Sequence, residues 1–131
     1  MVKKLLIDSY VEAGKILLNK LDSKSFNITA AMWFFYTESE EWQLLLYSPD
    51  FGKNGKDSNT IYTSIFNVIN ELGEYANGLS LDMIKIITTN SPLIELLNSL
   101  IRVEGISNVR CSSNYINGVY IEDALIYRNL N

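Results

Sequence analysis

Five consecutive apolar and aromatic residues, Met32-Trp33-Phe34-Phe35-Tyr36, constrain this chain more than any other segment. Side chains alternate across a β-strand, so a strand with one face in water alternates apolar and polar residues. This run does not alternate. It predicts a strand over Ile28 to Tyr36 that is either central in a sheet covered on both sides or buried on one side by a partner subunit. The second option makes Trp33 and Phe35, with Trp42 on the following strand, candidate interface residues. That following strand is expected from Trp42 to Ser48, after a polar turn at Thr37-Glu38-Ser39-Glu40-Glu41.

The other strong signal is Asn117-Gly118, set between two strand patterns. Both positions of a two-residue hairpin turn of this type need positive φ, which Asn and Gly supply. The hairpin is expected over Val109 to Arg128, with Gly118 at positive φ.

Helical spacing fills the rest. Lys4, Asp8, Glu12, Lys15, Asn19 and Asp22 make a polar stripe on a first helix over Lys3 to Leu21, opposite Leu6, Tyr10, Ala13, Leu17 and Leu21. A second helix is expected over Thr60 to Tyr75, capped by Ser58 or Asn59 and stopped at Asn77-Gly78. Its core stripe is Ile61, Ile65, Val68, Leu72 and Tyr75, widened by Tyr62, Phe66 and Ile69. A short buried strand spans Met83 to Thr88. Ser91-Pro92 opens a third helix, which ends by Gly105. The order is α-β-β-α-β-α-β-β: a single α+β domain over 1–131, with three helices packed on a mixed five-stranded sheet.

The 131 residues suit one domain with a real core. Histidine is absent and cysteine occurs once, as Cys111. No Ser-His or Cys-His nucleophile pair is available, and a structural zinc site has no ligand set. Carboxylate chemistry, a carboxylate-bound cation, or Lys and Tyr catalysis survive. No cofactor and no metal are expected, and no catalytic residue is assigned. A net charge of −4 gives no global field for nucleic acid or anionic lipid, so neither partner is expected. The N-terminal apolar stretch stops at Asp8, too early for an export signal. A lone cysteine fits a reducing compartment, and abundant Asn, Ile and Lys suggest an AT-rich bacterial coding sequence; the expected location is cytoplasmic.

Three motif fragments fail on their chemistry. Gly55-Lys56 lacks the remainder of a P-loop, because Asp50 stands at the first glycine position and Asp57 at the hydroxyl position. Gly78-Leu79-Ser80-Leu81-Asp82 lacks the second glycine of a hydrolase elbow. Asp22-Ser23-Lys24 falls at a helix end, where a nuclease metal site needs strands. Glu38, Glu40 and Glu41 read as a solvated acidic turn, and Cys111 as a core or half-buried thiol.

The hairpin register yields the candidate site. A turn at Asn117-Gly118 sets Ile116 opposite Val119, Asn114 opposite Ile121, Ser112 opposite Asp123 and Arg110 opposite Leu125. Arg110 then reaches Asp123 on the diagonal. Arg110, Ser112, Asn114 and Asp123 form the candidate binding group, on a face expected to meet solvent. Val109, Cys111, Tyr115, Tyr120, Ala124 and Ile126 are assigned to the core. Two functions fit. The first is a non-catalytic protein-interaction or accessory module of a bacterial assembly, working as a homodimer. The alternative is a small enzyme or ligand-binding domain using carboxylates and Arg110.

Overall fold

The chain's computed structural model describes residues 5–53, 57–116 and 118–131. The apolar run forms β1 (Ala30–Tyr36), which is buried along its length except at Tyr36. A turn leads to β2 (Glu41–Tyr47), antiparallel to β1, with Phe35 opposite Trp42 and Trp33 opposite Leu44. Then follow helix α2, strand β3 (Ile84–Ile87), helix α3, and the hairpin β4 (Val109–Ile116) and β5 (Val119–Asn129). The sheet order is β3-β2-β1-β5-β4. The β2/β3 pair is parallel and the others antiparallel, so the sheet is mixed. Among the described residues, three α-helices and five strands occur in the predicted order.

β1 is the central strand, and alternate side chains feed two separate cores. Ala31, Trp33 and Phe35 pack with helices α1 (Asp8–Ser23) and α2 (Ser58–Leu72) on one face. Ala30, Met32 and Phe34 pack with α3 (Leu93–Ser99) and the segment through Val103 on the other. Of the two options the run left open, coverage within one chain holds. Trp33, Phe35 and Trp42 are 1%, 4% and 8% exposed and belong to the α1/α2 core. The burial that made them interface candidates is supplied by the chain's own helices.

Several boundaries move for identifiable reasons. Ile7 is extended (φ −80, ψ 149), so α1 starts at Asp8; the predicted start at Lys3 lies outside the described residues, as does Lys4. The cap of α2 is Asp57, one residue before the expected pair: its Oδ1 accepts from the Thr60 amide at 2.9 Å. Past Leu72 the helix tightens into a 3₁₀ turn over Gly73–Ala76. The tighter winding turns Tyr75 out to 71% exposure and buries Ala76 instead. Helix α3 stops at Ser99, leaving Ile101 exposed. Ser91 Oγ accepts from the Leu93 amide at 3.2 Å, serving the helix start as expected.

Helix α1 meets β5 at one very close contact. A Cβ added at Gly14 would lie 2.3 Å from Tyr127 Oη. Tyr127 Oη accepts from Trp33 Nε1 at 2.8 Å and donates to the Val11 carbonyl at 2.6 Å. Glycine is required there so that a buried, hydrogen-bonded tyrosine can reach the helix backbone. Among the described residues, no helix is long and apolar enough to cross a membrane.

Candidate functional site

The hairpin holds the register that the turn dictates. Arg110 faces Leu125, Ser112 faces Asp123, Asn114 faces Ile121 and Ile116 faces Val119. Gly118 sits at φ +77, as the turn requires. Asn117, the other turn residue, lies outside the described residues.

The diagonal pair forms. Arg110 Nε donates to Asp123 Oδ1 at 2.6 Å and Nη2 donates to Oδ2 at 2.6 Å, a two-pronged pair. Ser112 Oγ donates to Asp123 Oδ1 at 2.9 Å. The guanidinium carbon also lies 5.7 Å from the centre of the Trp42 ring, which itself packs on Phe35 at 5.3 Å. A charged and aromatic row therefore crosses the sheet from β4 to β2. Asn114 stands apart from this network.

Burial changes what the group does. The expected face was solvent-exposed, but the Asp123 side chain is 1% exposed while Arg110 is 50% exposed. The carboxylate lies under its partners and the guanidinium forms the lid. The hydrogen bonding to Asp123 comes first in raising the Arg110 pKa above its ordinary value, against the effect of burial. Cys111 is half-buried, and its thiol pKa is raised by burial and then by the Asp123 charge, so it carries little thiolate.

The assignment of faces fails beyond Ser113. Val109, Cys111, Ala124 and Ile126 lie in the α3-side core as expected. Tyr115 and Tyr120, assigned to the same core, are 72% and 41% exposed. Ile116 and Ile121, assigned to solvent, pack into that core instead. The cause is Ser113, which adopts a left-handed conformation (φ +48) and has no assigned partner in the ladder. The register is the same on both sides of it, but the strand twists there and the tip of the hairpin presents its other face. A serine among polar neighbours carries no signal of this.

A second arginine site has no signature in the sequence. Arg128 binds Asp22 with Nη1 to Oδ1 and Nη2 to Oδ2, both at 2.8 Å. It also donates from Nε to the Gly105 carbonyl at 2.7 Å and from Nη1 to the Ile28 carbonyl at 3.0 Å. It ties the end of α1 to two loops. Its partners are spread over the whole chain, so no local pattern could have disclosed it. Among the described residues no group of three or more Cys, Asp or Glu side chains converges to hold a metal ion. No family model, no curated protein and no solved structure matches this chain.

Proposed function

We propose that this chain is a non-catalytic interaction module that docks a protein, a second copy of itself first, through the tip of its closing hairpin. The observation that carries this reading is the exposed aromatic pair there. The Tyr115 and Tyr120 rings lie 4.9 Å apart, and both face solvent beside the 42% exposed Val119. Tyrosine offers large contact area at low entropic cost and is enriched at protein interfaces. The alternative reading, chemistry by Arg110 and carboxylates, is weakened because the two sides of that group neutralise each other. The Asp123 carboxylate is buried beneath Arg110 and Ser112, out of reach of a substrate.

Sedimentation equilibrium at micromolar concentration tests the proposal. The expected result is a dimer that Tyr115→Ser combined with Tyr120→Ser converts to a monomer with an unchanged circular-dichroism spectrum and a melting temperature that no longer depends on concentration. A wild-type chain that stays monomeric overturns the self-association. Phosphohydrolase or nuclease turnover that survives repurification and disappears in Asp82→Asn or Asp123→Asn overturns the non-catalytic reading.

A further inference from the structure

The two edges of the sheet are finished differently. β3, at one edge, has four residues, carries the exposed Lys85, and its Ile86 amide donates to Tyr62 Oη at 3.0 Å. A short strand, a lysine and a side-chain cover are the devices that stop an edge from recruiting another strand. β4, at the other edge, has eight residues, with no Lys, Asp, Glu or Pro among them. Its partner in the sheet is β5, and among the described residues no hydrogen bond reaches its backbone from any other element. Half of the amides and carbonyls of an edge strand point away from the sheet, so β4 presents an open row of them.

We propose that this edge pairs antiparallel with β4 of a second copy, about a twofold axis between Ser112 and Ser113, joining two five-stranded sheets into one. The pairing rests on the self-association proposed above and names the surfaces that meet. Three observations select a second copy over another extended chain. The first is the change of face at the left-handed Ser113. Before it, Cys111 packs toward α3 and Arg110 lies over Trp42 on the α1/α2 face. Past it, Ile116 packs toward α3, which brings Tyr115 to the same face as Arg110. Residues directly opposite each other in an antiparallel pair share a face. A regular strand cannot keep that match on both sides of Ser113, whereas a second β4 across this axis brings its own change of face to the same place. The second observation is what full overlap sets opposite. Arg110 meets Tyr115 of the partner subunit, twice per dimer, and Val109 meets Ile116 of the partner subunit, apolar against apolar. Arg110 is 50% exposed and Tyr115 is 72% exposed, so each has surface free for a guanidinium–ring contact. The third is the absence of repulsion. The two Arg110 residues stand five positions apart along the ladder, about 17 Å, beyond the ~8 Å over which salt leaves charges coupled.

Disulfide trapping of the full-length chain tests the pairing and its register. Asn114 lies opposite Cys111 of the partner subunit, with Cα atoms about 5 Å apart, within disulfide reach. Within one strand the same two positions are about 10 Å apart and cannot bridge. Asn114 is exposed and outside the Arg110 network, so Asn114→Cys is expected to fold and, with a mild oxidant, to give a covalent dimer. The wild type and Asn114→Cys combined with Cys111→Ser should not cross-link, because each then offers cysteines three positions out of step. Protection from amide exchange should rise with protein concentration in β4 and not in β3. Tyr115→Leu should weaken the dimer about tenfold by sedimentation, and Tyr115→Phe should leave it as in the wild type. A wild-type chain that sediments as a monomer overturns the self-association and this pairing with it. A chain that sediments as a dimer overturns the pairing alone if β4 gains no protection, if Asn114→Cys fails to cross-link, or if the Cys111→Ser control cross-links equally. Tyr115→Leu dimerising as tightly as the wild type also overturns it.

Discussion

Strand β5 contributes to two ion pairs, and they are built in opposite ways. At Asp123 the acid is buried, 1% exposed, and its partner Arg110 is half in water. At Arg128 the base is the more enclosed member, 11% exposed, and its partner Asp22 is 35% exposed. A carboxylate only accepts, so Asp123 depends on donors brought to it, Arg110 foremost. A guanidinium has five donors in a fork, and Arg128 spends some of them on two backbone carbonyls. The enclosed base therefore has two backbone carbonyls besides its ion-pair partner, whereas the buried acid has Ser112 besides Arg110 and takes its countercharge from Arg110. The lesson is that a pair's sensitivity follows the chemistry of its buried member rather than its geometry, which is two-pronged at both sites.

The sharpest way to break the comparison is to remove the exposed partner at each site. Arg110→Ala removes the cationic partner of a carboxylate that is 1% exposed, with Ser112 still donating to it, and is expected to cost about 3 kcal/mol, the low end for breaking a buried pair because Arg110 itself is half exposed. Denaturant unfolding measures this. Adding Asp123→Ala should restore most of the loss, because the stranded charge goes with it. A double variant no more stable than Arg110→Ala alone would show that Asp123 serves the fold by some means other than its charge.

Gly118 separates the two sites by another route. Its positive φ holds the turn that sets Arg110 beside Asp123, while Arg128 is anchored outside the hairpin. Gly118→Val is expected to cost about 2 kcal/mol through left-handed strain. Amide exchange should quicken near Arg110 and not near Arg128. Equal quickening at both would join the sites into one cooperative unit.

High pH should spare both pairs, since hydrogen bonds to Asp123 and Asp22 raise the pKa of Arg110 and Arg128 respectively. Beyond the smaller upward shifts of Cys111 and Tyr36, the largest alkaline weakness lies at Tyr127. Burial raises its pKa well above the ordinary phenol value of about 10. The folded form therefore holds this proton more tightly than the unfolded form. The associated stability is complete below about pH 10 and is lost as pH climbs from there toward the raised folded value. About 1.4 kcal/mol should disappear by one unit above the ordinary value, and Tyr127→Phe should flatten that part of the profile. An unchanged slope in Tyr127→Phe would transfer the effect to another group.

The smallest effect is expected for Asp22→Ala, about 1 kcal/mol, because Arg128 keeps its two carbonyl partners. A loss as large as that of Arg110→Ala would dissolve the distinction between the sites.

What was legible in the sequence was local. Alternation, or its failure at Met32 to Tyr36, marked a strand with both faces covered, and a two-residue turn fixed the hairpin register through to Arg110 and Leu125. The same register brought Arg110 within reach of Asp123, so that pair follows from turn position and strand spacing alone. Period and turn chemistry act over a few residues, and they report elements, their order and their pairing.

Which face meets which neighbour was decided only in three dimensions. Trp33, Phe35 and Trp42 call for cover, and the sequence cannot say that α1 and α2 provide it in place of a second chain. Ser113 turns the hairpin tip over through one left-handed residue, exposing Tyr115 and burying Ile121, although nothing in its identity requires that conformation. Arg128 finds Asp22 and the Ile28 and Gly105 carbonyls across the chain. Tyr36 packs against the α3-side core with its hydroxyl buried and without a partner, which no local pattern announces. The physical reason is common to all four. Periodicity encodes a side chain's direction relative to its own backbone, whereas burial and hydrogen bonding depend on which distant surface arrives opposite it.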